Sequence, residues 1–141
     1  MRTISSFLCA AATVLCVIAT WDAQVAAATR CTVDDVSAAM SEIGRQEDWA
    51  GVYQSFKRYR HCDEGVVAEE YSDAIGHLLA HNWEQVAGLV NLVGSDREFG
   101  EFVVRHIDEN IGEADAQLIV SNARSRCPSK ARWLCKAIAD Y

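Results

Sequence analysis

The chain has 141 residues, half of them hydrophobic, with 20 acidic against 13 basic side chains and a net charge of −7. That balance, with no basic stripe, argues against nucleic acid, where phosphate contacts supply most of the affinity. It argues equally against an anionic membrane surface.

The first residues read as a secretory leader. Arg2 supplies a positive start and Phe7 to Ala19 an apolar run, shorter than the roughly 20 residues a membrane helix needs. Small residues around Ala26 to Ala28 suit cleavage, so residues 1–28 are expected to be removed and residues 29–141 to form one all-α domain. Neither Cys9 nor Cys16 sits in a lipid-attachment pattern, so release into the periplasm or the medium is expected, with no stable membrane insertion. Losing Arg2 and Asp22 with the leader leaves the charge at −7.

Four cysteines then remain: Cys31, Cys62, Cys127 and Cys135. An even number in an exported chain reads as two disulfides. No Cys-x-x-Cys is present, so zinc-ribbon spacing is absent.

In chain order, Thr32 to Asp35 is a capped start for a helix carrying Val33, Val36, Met40 and Ile43, closed by Gly44. Asp48 caps a second helix with Trp49, Val52, Tyr53, Phe56 and Tyr59 on one face. Asp63 is expected to cap a third, burying Val67, Tyr71, Ala74, Ile75, Leu78 and Leu79. Asn82 and Gln85 form a capping-box pattern for the fourth, with Trp83, Val86, Ala87, Val90 and Val93 inward, flanked by Leu89 and Leu92, and Gly94 at its end. Ser95 to Glu98 is a second capping-box pattern, opening a fifth helix with Phe99, Phe102, Val103 and Ile107, stopped by Gly112. A sixth carries Ala116, Ile119, Val120 and Ala123 and ends at Cys127. Pro128 opens a last helix packing Trp133, Leu134, Ala137 and Ile138.

The fold class is therefore all-α: about seven short helices stacked as antiparallel hairpins, solenoid-like or an orthogonal bundle. Asp48-Trp49-x-x-Val52 recurs as Asn82-Trp83-x-x-Val86, 34 residues on, the period of tetratricopeptide hairpins. Tyr53 stands where that pattern needs glycine, so the chain is read as stacked hairpins outside that family. Alternating helices put Cys31 and Cys62 at one end of the stack. Cys127 and Cys135 inside one helix would stand about 12 Å apart at 1.5 Å per residue, beyond the roughly 7 Å a bridge allows. They can pair only if Cys127-Pro128-Ser129 folds back as a loop. Cys31–Cys62 with Cys127–Cys135 is preferred, and crossed pairings of Cys62 and Cys135 stay open.

Catalytic signatures are missing. There is no Gly-x-Ser-x-Gly, no Ser-x-x-Lys and no glycine-rich phosphate loop. The third helix has a polar stripe at four-residue spacing, Glu69, Asp73, His77 and His81. Two imidazoles and a carboxylate so placed can converge on a divalent ion, yet His77-Leu-Leu-Ala-His81 lacks the glutamate of a metalloprotease helix, and the apolar face points elsewhere. The stripe reads first as a solvated face, as do Glu69 and Glu70 taken with Asp73 as an acid pair. His106 reads as a core-edge histidine held by backbone or a carboxylate, His61 as exposed, and Lys57-Arg58-x-Arg60 as the solvated end of the second helix. The expectation is a non-enzymatic, cofactor-free protein that binds a protein partner, inhibitor- or immunity-like. The alternative is a metal-binding protein or metal-dependent enzyme using Asp73, His77 and His81. The four Trp and four Tyr would also suit a homodimer interface.

Overall fold

The computed structural model describes residues 30–140; the expected leader and its cleavage site lie outside them. The described chain is all-helical, with seven α-helices: α1 Val33–Ile43, α2 Trp49–Tyr59, α3 Val66–His81, α4 Val86–Ser95, α5 Arg97–Arg105, α6 Glu113–Ser125 and α7 Arg132–Ala139. Single 3-10 turns, Arg60–Cys62, Trp83–Gln85 and Ser129–Ala131, precede α3, α4 and α7.

Local chemistry fixes three of the starts. Thr32 and Asp35 form a reciprocal capping box on α1, and Asp48 accepts a hydrogen bond from Gly51 N on α2 at 2.8 Å. On α5 the cap is Asp96, one residue later than the Ser95 pattern suggests; it accepts from Phe99 N, and Ser95 instead ends α4.

Other boundaries depart from expectation for identifiable reasons. Asp63 does not cap α3, because its carboxylate is drawn to Arg105 and His106; the helix starts at Val66 behind Gly65. Asn82 makes no cap either, since Trp83–Gln85 tightens into a 3-10 turn that satisfies its own backbone. Gly94 lies inside α4, and Gly112 opens α6 rather than closing α5, which ends at Arg105. The sixth helix stops at Ser125, two residues short of Cys127. Pro128 sits just before the 3-10 turn, not within α7.

Gly65 is the one residue with positive φ among the described residues, at φ 53° and ψ −129°, a region open essentially to glycine. A Cβ there meets nothing within 4 Å. Gly65→Ala is therefore expected to destabilise by backbone strain alone, about 1–3 kcal/mol, read as a lower urea midpoint with an unchanged slope.

The core is one contiguous cluster. Phe102 sits in its middle, its ring centroid 4.8 Å from both Phe56 and Tyr71, the latter edge-on. Phe99 joins Phe56 at 5.3 Å. The predicted apolar faces are inside apart from a few members. Val33, in the first turn of α1, is 86% exposed, and Ala87 is exposed while Leu89 takes the interior place on α4.

Around this core α3 packs against α1, α2 and α6, α6 against α7, α4 against α2 and α5, and α5 against α7. Two polar side chains lock the layers. Asn122 donates to Leu79 O at 2.9 Å and Ala80 O at 3.0 Å, and Trp83 Nε1 donates to Arg126 O at 3.0 Å. Buried polar groups need such partners, and these serve the open carbonyls at two helix ends.

The disulfides are Cys31–Cys62 and Cys127–Cys135, with Cα separations of 5.0 and 6.2 Å. The second closes because residues 126–128 form a bend outside both flanking helices. Such bonds are compatible with an oxidising compartment. Among the described residues no helix is long and apolar enough to cross a membrane.

Candidate functional site

The α3 stripe meets solvent. Glu69, Asp73, His77 and His81 are all exposed. The rings of His77 and His81 lie 4.8 Å apart, and His81 Nε2 turns to Asp115 Oδ1 on α6 at 2.9 Å. Asp73 and His77 border a depression of about 340 Å³ with Gly44, Gln46 and Glu70. The donor atoms of Asp73, His77 and His81 do not gather within 4.8 Å of one another; His81 would have to leave Asp115 to join the other two.

A second constellation, largely missed from the sequence, lies beneath the α5 end. His106 caps α5 and is only 3% exposed. Its Nδ1 lies 3.1 Å from Ser72 Oγ, and its Nε2 lies 3.0 Å from Asp63 Oδ1, an ion-pair contact whose angle is outside hydrogen-bond geometry. Ser72 Oγ donates to Asp108 Oδ2 at 3.0 Å, or to Ala68 O at 3.1 Å. Arg105 Nη2 donates to Asp63 Oδ2 at 3.0 Å.

A proton count follows. Ser72 has a single hydroxyl proton. If it goes to Asp108 or Ala68, the ring must donate from Nδ1, while Nε2 faces a carboxylate oxygen. The buried ring is thus held between the Ser72 hydroxyl at Nδ1 and the Asp63 carboxylate beside Nε2. Burial acts to raise the Asp63 carboxyl, but His106 and then Arg105 outweigh it and hold the group below the usual carboxylate range. Burial drives the neighbouring Tyr71 phenol well up, and its hydroxyl has no partner among the described residues.

The serine, the histidine and two carboxylates have the composition of a hydrolytic site, but Ser72 is 0% exposed and its oxygen faces only protein. The expected core-edge histidine is thus held by a carboxylate and a serine. The signal for Ser72 was present: Ala68, Ser72, Gly76 and Ala80 are small residues at four-residue spacing. They mark a second inward face of α3, where Ile111 packs so close that a Cβ on Gly76 would meet it at 3.1 Å.

The basic cluster of α2 is not free. Lys57 pairs with Asp96 at 3.1 Å, Arg58 with Glu42 and Arg60 with Glu98. Nor is His61 exposed: it is half-buried, 3.8 Å from Asp35.

The remaining unusual surface is α4. Of the seven helices among the described residues, it alone has no charged side chain. Ala87, Gly88, Asn91 and Gly94 are exposed, and the two glycines face open space. On one flank runs a groove of about 520 Å³ lined by Trp49, Ala50, Gln85, Gly88, Asn91 and Leu92, with Asp48 at its edge. On the other, Val93, Gly100, Val104 and Trp133 line a groove of about 390 Å³ together with Arg97 and Glu101. No family model, no curated protein and no solved structure matches the chain.

Proposed function

We propose that the chain is a small exported protein, secreted or periplasmic, that acts by binding a protein partner rather than by catalysis, in the manner of an inhibitor or immunity protein. The observation that carries this reading is the uncharged face of α4. In a chain of net charge −7, a helix without a charge, with glycines open to solvent and a groove on either side, suits close approach by a neutral, apolar element of another protein. The reading of Ser72 and His106 as a structural clamp agrees with it, since a buried hydroxyl offers no place for a substrate. For the fold we favour an orthogonal bundle over a linear stack of antiparallel hairpins. Repeat stacks contact only their neighbours, whereas α3 packs on α6 across two intervening helices.

The test is capture from the native envelope or culture fluid with the immobilised protein, beside Gly88→Arg and Asn91→Arg. Both positions are exposed, so both variants are expected to keep the wild-type Tm. A partner held by the wild type and lost by both variants supports the reading. A partner held equally by all three, or none at all, overturns it. A wild type that captures only its own copies, and variants that do not, would make the face a homodimer interface.

A second reading places a divalent ion on Asp73, His77 and His81, favoured by the 4.8 Å approach of the two rings and the adjoining depression. Stoichiometric zinc lost in the His77→Ala/His81→Ala variant would establish it.

A further inference from the structure

One corner of the molecule gathers four metal-ligating side chains from three local elements. Asp35 stands in the first turn of α1, Cys31 just before it, and His61 and Cys62 in the 3-10 turn after α2. Donor atoms of Asp35, His61 and Cys62 all lie within 4.8 Å of one another, the one such trio among the described residues. Cys31 is bonded to Cys62 with Cα atoms 5.0 Å apart, so its sulfur belongs to the same corner. His61 Nε2 is shielded from solvent and has no hydrogen-bond partner, whereas buried polar side-chain atoms ordinarily find one. The Asp35 carboxylate is already oriented: its Oδ2 accepts from Thr32 N at 3.0 Å and from Thr32 Oγ1 at 2.7 Å. Hydrogen bonds of that kind support metal-ligating carboxylates.

We propose that Cys31, Cys62, His61 and Asp35 form a divalent-metal site, suited to Zn²⁺, which the Cys31–Cys62 disulfide closes and its reduction opens. The donor set, two sulfurs, one imidazole and one carboxylate, is the four-ligand complement of a closed tetrahedral zinc centre. In the bridged state neither sulfur is a thiolate, and the imidazole and carboxylate alone make a weak pair. A dithiol reductant supplies two electrons and two protons to the bridge, breaking the S–S bond and itself closing to a disulfide. Zn²⁺ then binds both sulfurs as thiolates, and two protons pass to solvent. The ion would take over the task of the bridge, holding the start of α1 to the end of α2. The proposal is independent of the α4 reading and uses none of the α3 stripe.

The experiment compares the purified protein before and after treatment with a dithiol, each incubated with Zn²⁺ without oxygen, desalted and assayed for metal by mass spectrometry. One zinc per chain is expected after reduction and none before. His61→Ala and Asp35→Asn are each expected to weaken binding by more than the roughly 10–100-fold that loss of a merely supporting group brings. Cys127→Ser/Cys135→Ser is expected to retain the metal. Co²⁺ in place of Zn²⁺ should give the absorption of a tetrahedral, sulfur-ligated ion, which reads ligation directly even if one variant folds poorly. The proposal is overturned if the reduced wild type holds no zinc, if Asp35→Asn and His61→Ala bind as tightly as wild type, or if the Cys127/Cys135 variant loses the metal.

Discussion

Phe102→Ala is expected to destabilise the protein by about 3–5 kcal/mol, lowering Tm by about 10–20 °C. The ring is 1% exposed and touches aromatic partners on three elements: Phe56 of α2, Tyr71 of α3 and, at 4.4 Å, His106 at the end of α5. Truncation removes the transfer free energy of the ring and the edge-to-face contact of Tyr71 with it, and leaves a void lined by other rings. A loss of that size is a large share of the stability of an ordinary domain, about 5–15 kcal/mol. Thermal and urea unfolding measure it. A loss below about 1.5 kcal/mol, the range of a tolerated volume-conserving swap, would show that Phe102 is not the centre of the core. Phe102→Leu should retain much of the lost stability.

Asp63→Ala is expected to cost a similar amount, about 3–5 kcal/mol, through electrostatics rather than volume. It takes the carboxylate away from the buried His106 ring and from Arg105, and leaves a buried polar nitrogen without its partner. Adding His106→Leu to Asp63→Ala should recover part of the loss, because the unpartnered polar ring is removed with it; no recovery would mean that the pair is not the source of the cost. The pH dependence has a definite sign. The folded Asp63 carboxyl is held below its ordinary value, with His106 and Arg105 overcoming the effect of burial. Its contribution is therefore fully present above the unfolded carboxylate value of about 3.9 and is lost as pH falls through the lower, folded value. Asp35 and Asp96 are lowered too and act in wild type and variant alike. Wild type should thus lose stability more steeply than Asp63→Asn on acidification below about pH 4. Parallel curves would remove Asp63 from the account.

The helices were legible in the sequence because their apolar residues recur at helical spacing and because Thr32 and Asp48 act locally. A cap can be read when its side chain has no stronger long-range partner. Asp63 had one: the guanidinium of Arg105 and the ring of His106, some forty positions on, outcompeted the backbone amides three residues away. The bridges were legible only as a preference over crossed pairings; the structure decides for Cys127–Cys135 because the chain leaves helical geometry between α6 and the turn after Pro128. The ion pairs of Lys57, Arg58 and Arg60 were not, because they depend on which helices lie alongside α2, and charge on a helix end reads the same whether a carboxylate faces it or water does. The second inward face of α3 escaped for a related reason. Leu and Ile announce burial by their own chemistry, whereas Ser72 and Gly76 are small enough to suit either surface or interior, and only the approach of Ile111 decides between them.

The bonds from Asn122 to the last carbonyls of α3 also bear on the order of folding. The final turn of α3 is completed by a side chain more than forty residues later, so that turn cannot reach its native state before α6 has docked. Loop closure over that span costs entropy before any contact offsets it. The C-terminal turn of α3 should consequently form late, and a fragment ending at Asn82 should fray there. Amides that bond within that turn should exchange with solvent at the rate set by undocking of α6, as members of one cooperative unit with it.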